Sequence, residues 1–363
     1  MTITTFLKNR IAPLVALLLL SGCTANEVMI QEPDLPAAVY LSRPAETEKP
    51  EPEPSASATG ISGEEAAPSQ KETPTPAPKG TITLLGANMV YTGESFIYTY
   101  RLAETDEPVE PGEIVWECDG DAGEITADGE FFGLKKGTAA LTVTDRAHGI
   151  SDTLTIHVVD TAADVDFVPE VNGIPIANKT YPLPPDYDPG DLLPEAYDAY
   201  VKLVTAAAED GIEITFISGY RSYWYQQSVH EKWIERYDEE TADRLSARAG
   251  HSEHQLGLAI DVNSLLLEFA DTPEAVWLRE NCARFGFILR YPLEKEAVTG
   301  YMYEPWHIRY LGVELAEEVT ESGLSLEEYL GIDSYYRPTP TEENEAPEET
   351  NPPVPSEGAE GTN

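Results

Sequence analysis

Cysteine is scarce in this chain, with three among 363 residues. Cys118 and Cys282 fall in regions of different texture, so no disulfide framework is expected, and neither has the spacing of a metal-binding cysteine pair. Both read as small buried thiols. Basic residues are also few, 23 against 65 acidic ones, for a formal net charge of −42. A surface this acidic repels DNA, RNA and anionic headgroups, which excludes a nucleic-acid partner. It says nothing positive about what the protein binds. Long apolar runs are missing near the start as well: the stretch from Ile11 to Leu20 is too short to span a bilayer comfortably.

That short run has another use. Lys8 and Arg10 precede it and Leu20-Ser21-Gly22-Cys23 follows, the layout of an export signal. With cysteine after Leu-Ser-Gly, residues 1–22 resemble a bacterial lipoprotein signal, which implies cleavage before Cys23 and lipidation of that residue. Residues 23–79 are dominated by Pro, Glu, Ala, Ser and Thr, as in PAETEKPEPEPSASATG. They hold too few large apolar side chains to offset the entropy of ordering, so a disordered tether is expected. Fully extended, it would reach roughly 170 Å. The acidic tail, 338–363, has similar composition and is expected to be disordered. This layout implies a lipid-anchored protein on the extracytoplasmic face of a bacterial membrane.

Two regions of different texture lie between. Residues 80–160 contain short alternating runs separated by Gly, Asp and Asn, such as SFIYTYRL, GEIVWECDG and DTLTIHVVD. Period-two alternation with frequent turns predicts a separate small β-sandwich. The stretch GEIVWECDGDAGEITADGEFFGLKKGTAALTVT resembles bacterial immunoglobulin-like domains of group 2. His157 alternates within a terminal strand and is expected to be structural or exposed, and His148 sits in a turn with no carboxylate or cysteine at a ligand spacing. Residues 165–335 mix helical and strand patterns. DLLPEAYDAYVKLVTAAAEDG predicts a helix with a glycine stop at Gly211, IEITFISGYR a strand entering a turn, and TPEAVWLRENCARFGF a helix capped by Thr272. The elements do not repeat a βαβ unit, so the fold class is α+β.

Residues 250–263, GHSEHQLGLAIDVN, concentrate the chemistry. Read as a strand, Leu258 and Ile260 point one way while Gly257, Ala259 and Asp261 point the other. Small side chains beside a carboxylate leave room for something bulky. The loop before the strand could fold His254 over that face, giving two zinc ligands with Asp261. A third must come from His230, His251 or His307. His230 shares a helix with Trp233 and is expected to be packed or solvated. His251 is expected to be non-ligating, able to orient or contact substrate. His307 follows Glu304 in YMYEPWHIRYLG, and Pro305 rules out a helical Glu-x-x-His pair. Two histidines and an aspartate leave a zinc position open for water, with Glu304 placed to move its proton. In SGYRSYWYQQ, Arg221 sits in a turn allowed by Gly219 and can clamp a carboxylate or an oxyanion. Tyr220, Ser222, Tyr223 and Gln226 would shape the pocket, and the aromatic run Tyr220, Tyr223, Trp224 and Tyr225 serves as packing and pocket wall.

SGYRSY-x-x-Q, S-x-H-x-x-G-x-A-x-D and E-x-W-H, in this order, resemble the VanY-type D-alanyl-D-alanine carboxypeptidases of the M15 metallopeptidases. The likeness covers roughly residues 170–315, flanking segments included; the turn Tyr291–Glu296 departs modestly from relatives. It implies a zinc D,D-peptidase fold of the Hedgehog/D,D-peptidase type and one Zn2+ held by His254, Asp261 and His307. It also implies catalysis by Glu304 and Arg221, with Arg221, Ser222, Tyr220, Gln226 and Trp306 meeting substrate. The substrate implied is a peptidoglycan stem peptide ending in D-Ala-D-Ala, hydrolysed by a monomer. Open alternatives are a D,D-dipeptidase, an endopeptidase of the same group, and a non-catalytic wall-binding lipoprotein.

Overall fold

Alternation governs the first part of the chain that a computed structural model describes, which covers residues 80–103 and 113–337. The signal segment, Cys23, the tether and the acidic tail lie outside the described residues. In β8 (Gly137–Asp145), Ala139, Leu141 and Val143 are buried and the residues between them are less so. The strand therefore offers one face to a core. β9 (Ile150–Val159) pairs with it antiparallel along its length. Their turn is fastened by Asp145, whose carboxylate accepts from the backbone N–H of Ala147 and His148 and from His148 Nδ1–H. His148 is thus a turn fastener, paired with a carboxylate three residues before it.

The other strands of this region are β1 (Thr81–Leu85), β2 (Met89–Tyr91), β3 (Ser95–Ile97), β4 (Thr99–Ala103), β5 (Ile114–Asp119), β6 (Gly123–Ile125) and β7 (Glu130–Gly133). They form sheets of order β2-β9-β8-β5, β3-β7-β6 and β1-β4. All pairs are antiparallel except β2 with β9. Tyr98, Phe131, Leu141, Val143 and Ile156 fill the core between them. His157 stacks on Phe167, ring centroids 3.8 Å apart.

A two-residue hairpin, β10 (Glu170–Val171) and β11 (Ile174–Pro175), leads into the α+β region. Its sheet has order β12-β13-β15-β14, all antiparallel: β12 (Phe216–Ser218), β13 (Ala259–Val262), β14 (Phe287–Tyr291) and β15 (Glu304–Tyr310). The helices are α1 (Pro194–Glu209), α2 (Tyr223–Arg236), α3 (Glu239–Leu245), α4 (Pro273–Asn281), α5 (Glu296–Thr299), α6 (Val313–Ser322) and α7 (Leu326–Leu330). The sequence sets their ends. Thr272 and Ser222 accept backbone N–H groups at the starts of α4 and α2, and Gly211, at φ +77°, follows α1.

One face of this sheet carries Ile260, Val262, Phe287, Trp306 and Ile308, packed on Leu203 and Ala207 of α1 and Leu278 of α4. By the two-residue period the opposite face carries Asp261, Ile288, Arg290, His307 and Arg309. Chemistry and core are thereby sorted onto opposite sides of one sheet. A further cluster joins the two regions: Met89, Tyr91 and Val159 from the β region meet Val171, Ile176, Ile288, Val319, Leu326 and Leu330. The β region, expected to be separate, thus shares a core cluster with its neighbour. Among the described residues Cys118 and Cys282 are free thiols; Cys118 is only half-buried, against expectation, whereas burial pushes Cys282 up to about 12. Among the described residues, no helix is long and apolar enough to cross a membrane.

Candidate metal centre and active site

The site is built where β13 and β15 run side by side. Their register sets Asp261 opposite His307, so both side chains leave the sheet on one face. His254 arrives from a 3-10 turn, Glu253–Leu256. Its Nδ1–H donates to the Gly219 carbonyl at 2.6 Å, which leaves the Nε2 lone pair facing the sheet. The turn and the Gly219–Arg221 segment hold each other, since Arg221 N–H donates back to the His254 carbonyl.

Gly257 works differently from the expectation. The strand begins at Ala259, and Gly257 precedes it in the left-handed conformation, φ +71°, closing the 3-10 turn. A Cβ there would lie 2.7 Å from the Asp191 carbonyl oxygen, so glycine admits a neighbouring backbone rather than clearing space beside Asp261. Leu258, outside the strand, packs with Leu183 and Ala196 instead of joining Ile260. Gly219, unlike Gly257, has no positive φ; its Cβ would meet the Phe216 ring at 2.9 Å. Ala259 does share the Asp261 face.

His254, Asp261 and His307 offer one ligand atom each within 4.8 Å of one another, all buried. His254 Nε2 lies 3.1 Å from Asp261 Oδ2, and His307 Nδ1 lies 3.2 Å from Asp261 Oδ1. Donors around a tetrahedral zinc ion sit about 3.3 Å apart, given bonds of about 2.0–2.1 Å. His254 Nε2 and Asp261 Oδ1 have no hydrogen-bond partner although both are buried. Unsatisfied buried polar atoms are costly unless a cation draws them together. The charges agree. Burial, then the Arg221 guanidinium, pushes His254 down to about 4, so it is a neutral ligand. Burial opposes ionisation of Asp261, but the two imidazoles beside it, with the proton on His307, outweigh it and hold the carboxylate charged. On His307, the carboxylates of Asp261, Glu253 and Glu304 outweigh burial and hold a proton that a metal ion can replace. This donor set fits zinc.

Glu304 and His307, three residues apart, should leave a regular strand on opposite faces. They meet because β15 bulges: Leu289 pairs with Ile308 and Tyr291 with Glu304, so Arg290 opposes three residues rather than one. The bulge contains Pro305, which has no N–H to give a ladder. Glu304 Oε2 thereby comes within 3.4 Å of His307 Nδ1. Burial, more than any other influence, raises its pKa above the usual carboxylate range. Arg221 also joins the group, its guanidinium 3.5 Å from Asp261 Oδ2 and its buried Nε without a partner.

The expected substrate contacts divide. Tyr220 donates its hydroxyl to Asp188, and Ser222 caps α2. Gln226 is 1% exposed, and its amide donates to Ser246 and to the Ala247 carbonyl, so it ties α2 to the following loop. Trp306 alternates away from His307 into the core beside α1 and α4, where it packs and offers no surface to substrate. His230 donates Nδ1–H to the Ser246 carbonyl, and His251 donates Nδ1–H to the Asn178 carbonyl. Neither belongs to the ligand group.

Glu253, Arg290 and Arg309 were not singled out from sequence. All three are fully buried around the site. Their signal is arginine inside otherwise apolar strands, FILRY and WHIRY, which demands a buried carboxylate close by.

Comparisons with known proteins point to one family. The VanY D-alanyl-D-alanine carboxypeptidase family matches residues 190–313, a span holding Arg221, His254, Asp261, Glu304 and His307. A D-alanyl-D-alanine carboxypeptidase of Enterococcus faecalis is 36% identical over 175 residues, covering 44% of this chain and 65% of the relative, just under two thirds of its length. The bifunctional D-Ala-D-Ala dipeptidase and D-Ala-D-Ala carboxypeptidase VanXYC of Enterococcus gallinarum is 32% identical over 179 residues, covering 44% of this chain and 94% of the relative. Among solved structures, the LdcB LD-carboxypeptidase has 46% identity over 45% of this chain and 89% of its own, with a TM-score of 0.41. A Zn(II) complex of the vancomycin-resistance D,D-pentapeptidase VanY has 36% identity over 43% of this chain and 97% of its own, with a TM-score of 0.39. By its matched segment and the share of its relatives it spans, this chain belongs to the VanY D-alanyl-D-alanine carboxypeptidase family.

Proposed function

We propose that the chain is a zinc-dependent carboxypeptidase that hydrolyses the terminal D-Ala–D-Ala amide of peptidoglycan stem peptides and releases D-alanine. The observation that carries this reading is the convergence of three unsatisfied or charge-strained ligands, His254, Asp261 and His307, with Glu304 and Arg221 beside them. Zinc held there supplies Lewis acidity toward a water and toward the scissile carbonyl. The chain's own residues do the rest. Glu304, whose proton affinity burial has raised, takes a proton from the attacking water. It returns the proton to the leaving nitrogen as the C–N bond breaks, so the products are a shortened stem and free D-alanine. Arg221 has donors to spare and grips the substrate's terminal carboxylate or the oxyanion as it forms.

The lipidated Cys23 and the 23–79 tether place this activity on the extracytoplasmic face of a bacterial membrane, where its substrate lies. The β region is there a bacterial immunoglobulin-like module packed against the catalytic region. Mass analysis of the mature N-terminus checks the anchor, since an unmodified Cys23 would remove it.

Digestion of a stem pentapeptide, a stem tetrapeptide ending in an L,D bond, free D-Ala–D-Ala and a cross-linked dimer tests the specificity. The pentapeptide is expected to be cut fastest, with activity lost on chelation and restored by zinc. Preference for the tetrapeptide, the free dipeptide or the dimer would overturn the D,D-carboxypeptidase assignment while leaving the metal centre intact. No metal-dependent hydrolysis of any of them would favour a wall-binding protein. Glu304→Gln is expected to lower kcat at least about 100-fold while zinc content stays at one per chain.

A further inference from the structure

We propose that Glu253 is a positioning residue for the metal centre, fixing through its second carboxylate oxygen which nitrogen of His307 is free to bind metal. The inference rests on the metal-centre reading above and deepens it. Glu253 lies on the 3-10 turn immediately before His254 and is 1% exposed. Its Oε1 accepts from Arg290 Nε at 2.7 Å and from Arg309 at 2.8 Å. Arg290 in turn donates to Glu327 of α7, and Arg309 to the Pro175 carbonyl. Two carboxylates and two guanidiniums therefore form a buried cluster with no net charge.

The arginines both take Oε1, and Oε2 is left with no hydrogen bond. It faces His307 Nε2 at 3.6 Å, and that nitrogen also has no hydrogen bond. The separation exceeds a normal hydrogen bond by a few tenths of an ångström. Each atom is nonetheless the unsatisfied buried group opposite the other. A neutral imidazole carries one N–H. With the Glu253 carboxylate held by two guanidiniums and its second oxygen opposite Nε2, the proton belongs on Nε2 and the lone pair on Nδ1, the nitrogen that faces Asp261 and Glu304. His254 is fixed in the opposite sense, Nδ1–H to Gly219 and Nε2 free. The two ligands would thus present different nitrogens, each selected by an acceptor behind the ring. Acceptors of this kind typically contribute 10–100-fold to metal affinity.

The competing explanation is that Glu253 only balances the charge of two buried arginines. Zinc affinity, measured by chelator competition without any peptide, separates the two. Glu253→Asp keeps the charge but withdraws the carboxylate from His307, and is expected to weaken zinc about 10-fold or more. Glu253→Gln should do at least as much. Glu327→Gln removes the same charge from the same arginine away from His307, and is expected to cost stability in urea while changing zinc affinity less than about threefold. Equal weakening by Glu327→Gln and Glu253→Asp, or no weakening by either Glu253 variant, would overturn the proposal. Should the variants fail to fold, 15N spectra of the imidazoles in zinc-loaded wild type decide: a proton on His307 Nε2 supports the proposal, one on Nδ1 defeats it. Zinc affinity does not depend on which peptide is cut, so an altered substrate preference leaves this test standing. A wild-type chain that bound no zinc would instead bring down the metal-centre reading itself.

Discussion

Histidine shows how far one residue type can diverge within a domain. His254 and His307 face carboxylates that ask for a cation, whereas His251 faces a carbonyl oxygen and the edge of Tyr336, ring centroids 5.0 Å apart. Burial pushes His251 down to about 4. Its ordinary value, restored on unfolding, is about 6.5. Above that pH neither state binds the proton and His251 costs nothing. As pH falls toward 4 the unfolded chain gains a proton that the folded chain refuses, so stability declines across that window and levels off below it. A displacement of that size is worth at most about 3 kcal/mol. Urea unfolding at several pH values should show a shallower slope between pH 6.5 and 4 for His251→Gln, which keeps a donor for Asn178. An unchanged slope would show that His251 is already protonated in the folded chain.

Two small irregularities matter more to the site than any regular element. The 3-10 turn carries Glu253 and His254 on adjacent positions, and the β15 bulge brings Glu304 round to His307. Gly257 ends the turn under two constraints, a left-handed backbone and the Asp191 carbonyl within 2.7 Å of where a Cβ would be. Gly257→Ala is therefore expected to cost about 2–3 kcal/mol in urea unfolding and to weaken zinc binding, because the turn must shift. Gly211→Ala is the comparison. Its φ is also left-handed, +77°, but nothing lies within 4 Å of an added Cβ, so about 1 kcal/mol is expected. Equal losses would show that crowding at Gly257 is relieved freely.

At the scale of the molecule, the shared cluster makes the β region part of the enzyme's support. Met89, 1% exposed on β2, packs in the group that contains Ile288 on the catalytic sheet and Leu326 and Leu330 on α7. α7 also supplies Glu327 to Arg290, so the route from β2 to the metal site runs through two packed elements. Met89→Ala should cost about 2–5 kcal/mol. Hydrolysis and the hydrogen-exchange protection of the β8 and β9 backbone amides are expected to be lost at the same, lowered temperature. Loss of that protection alone would mean that the regions unfold independently.

The motif residues were legible because their chemistry leaves a mark on the sequence. An aspartate inside an apolar strand, histidines near it and a proline between Glu304 and His307 are each unusual, and together they pointed to the group that the structure gathers, His254, Asp261 and His307 with Glu304 beside them. Helix ends were legible too, since Thr272 and Gly211 act through local hydrogen bonding and backbone freedom. What the sequence hid was set by contacts across the chain. It assigned Gly257 to the strand because a two-residue period cannot report where a strand begins. It put Trp306 and Gln226 among the substrate contacts because a motif does not say which face a side chain leaves from. Glu253 stayed silent because its meaning depends on Arg290, Arg309 and His307, which only pairing of β13, β14 and β15 brings together. Local rules fix which residues are reactive and where elements stop, whereas burial and register, which are long-range, decide which of them ever meet.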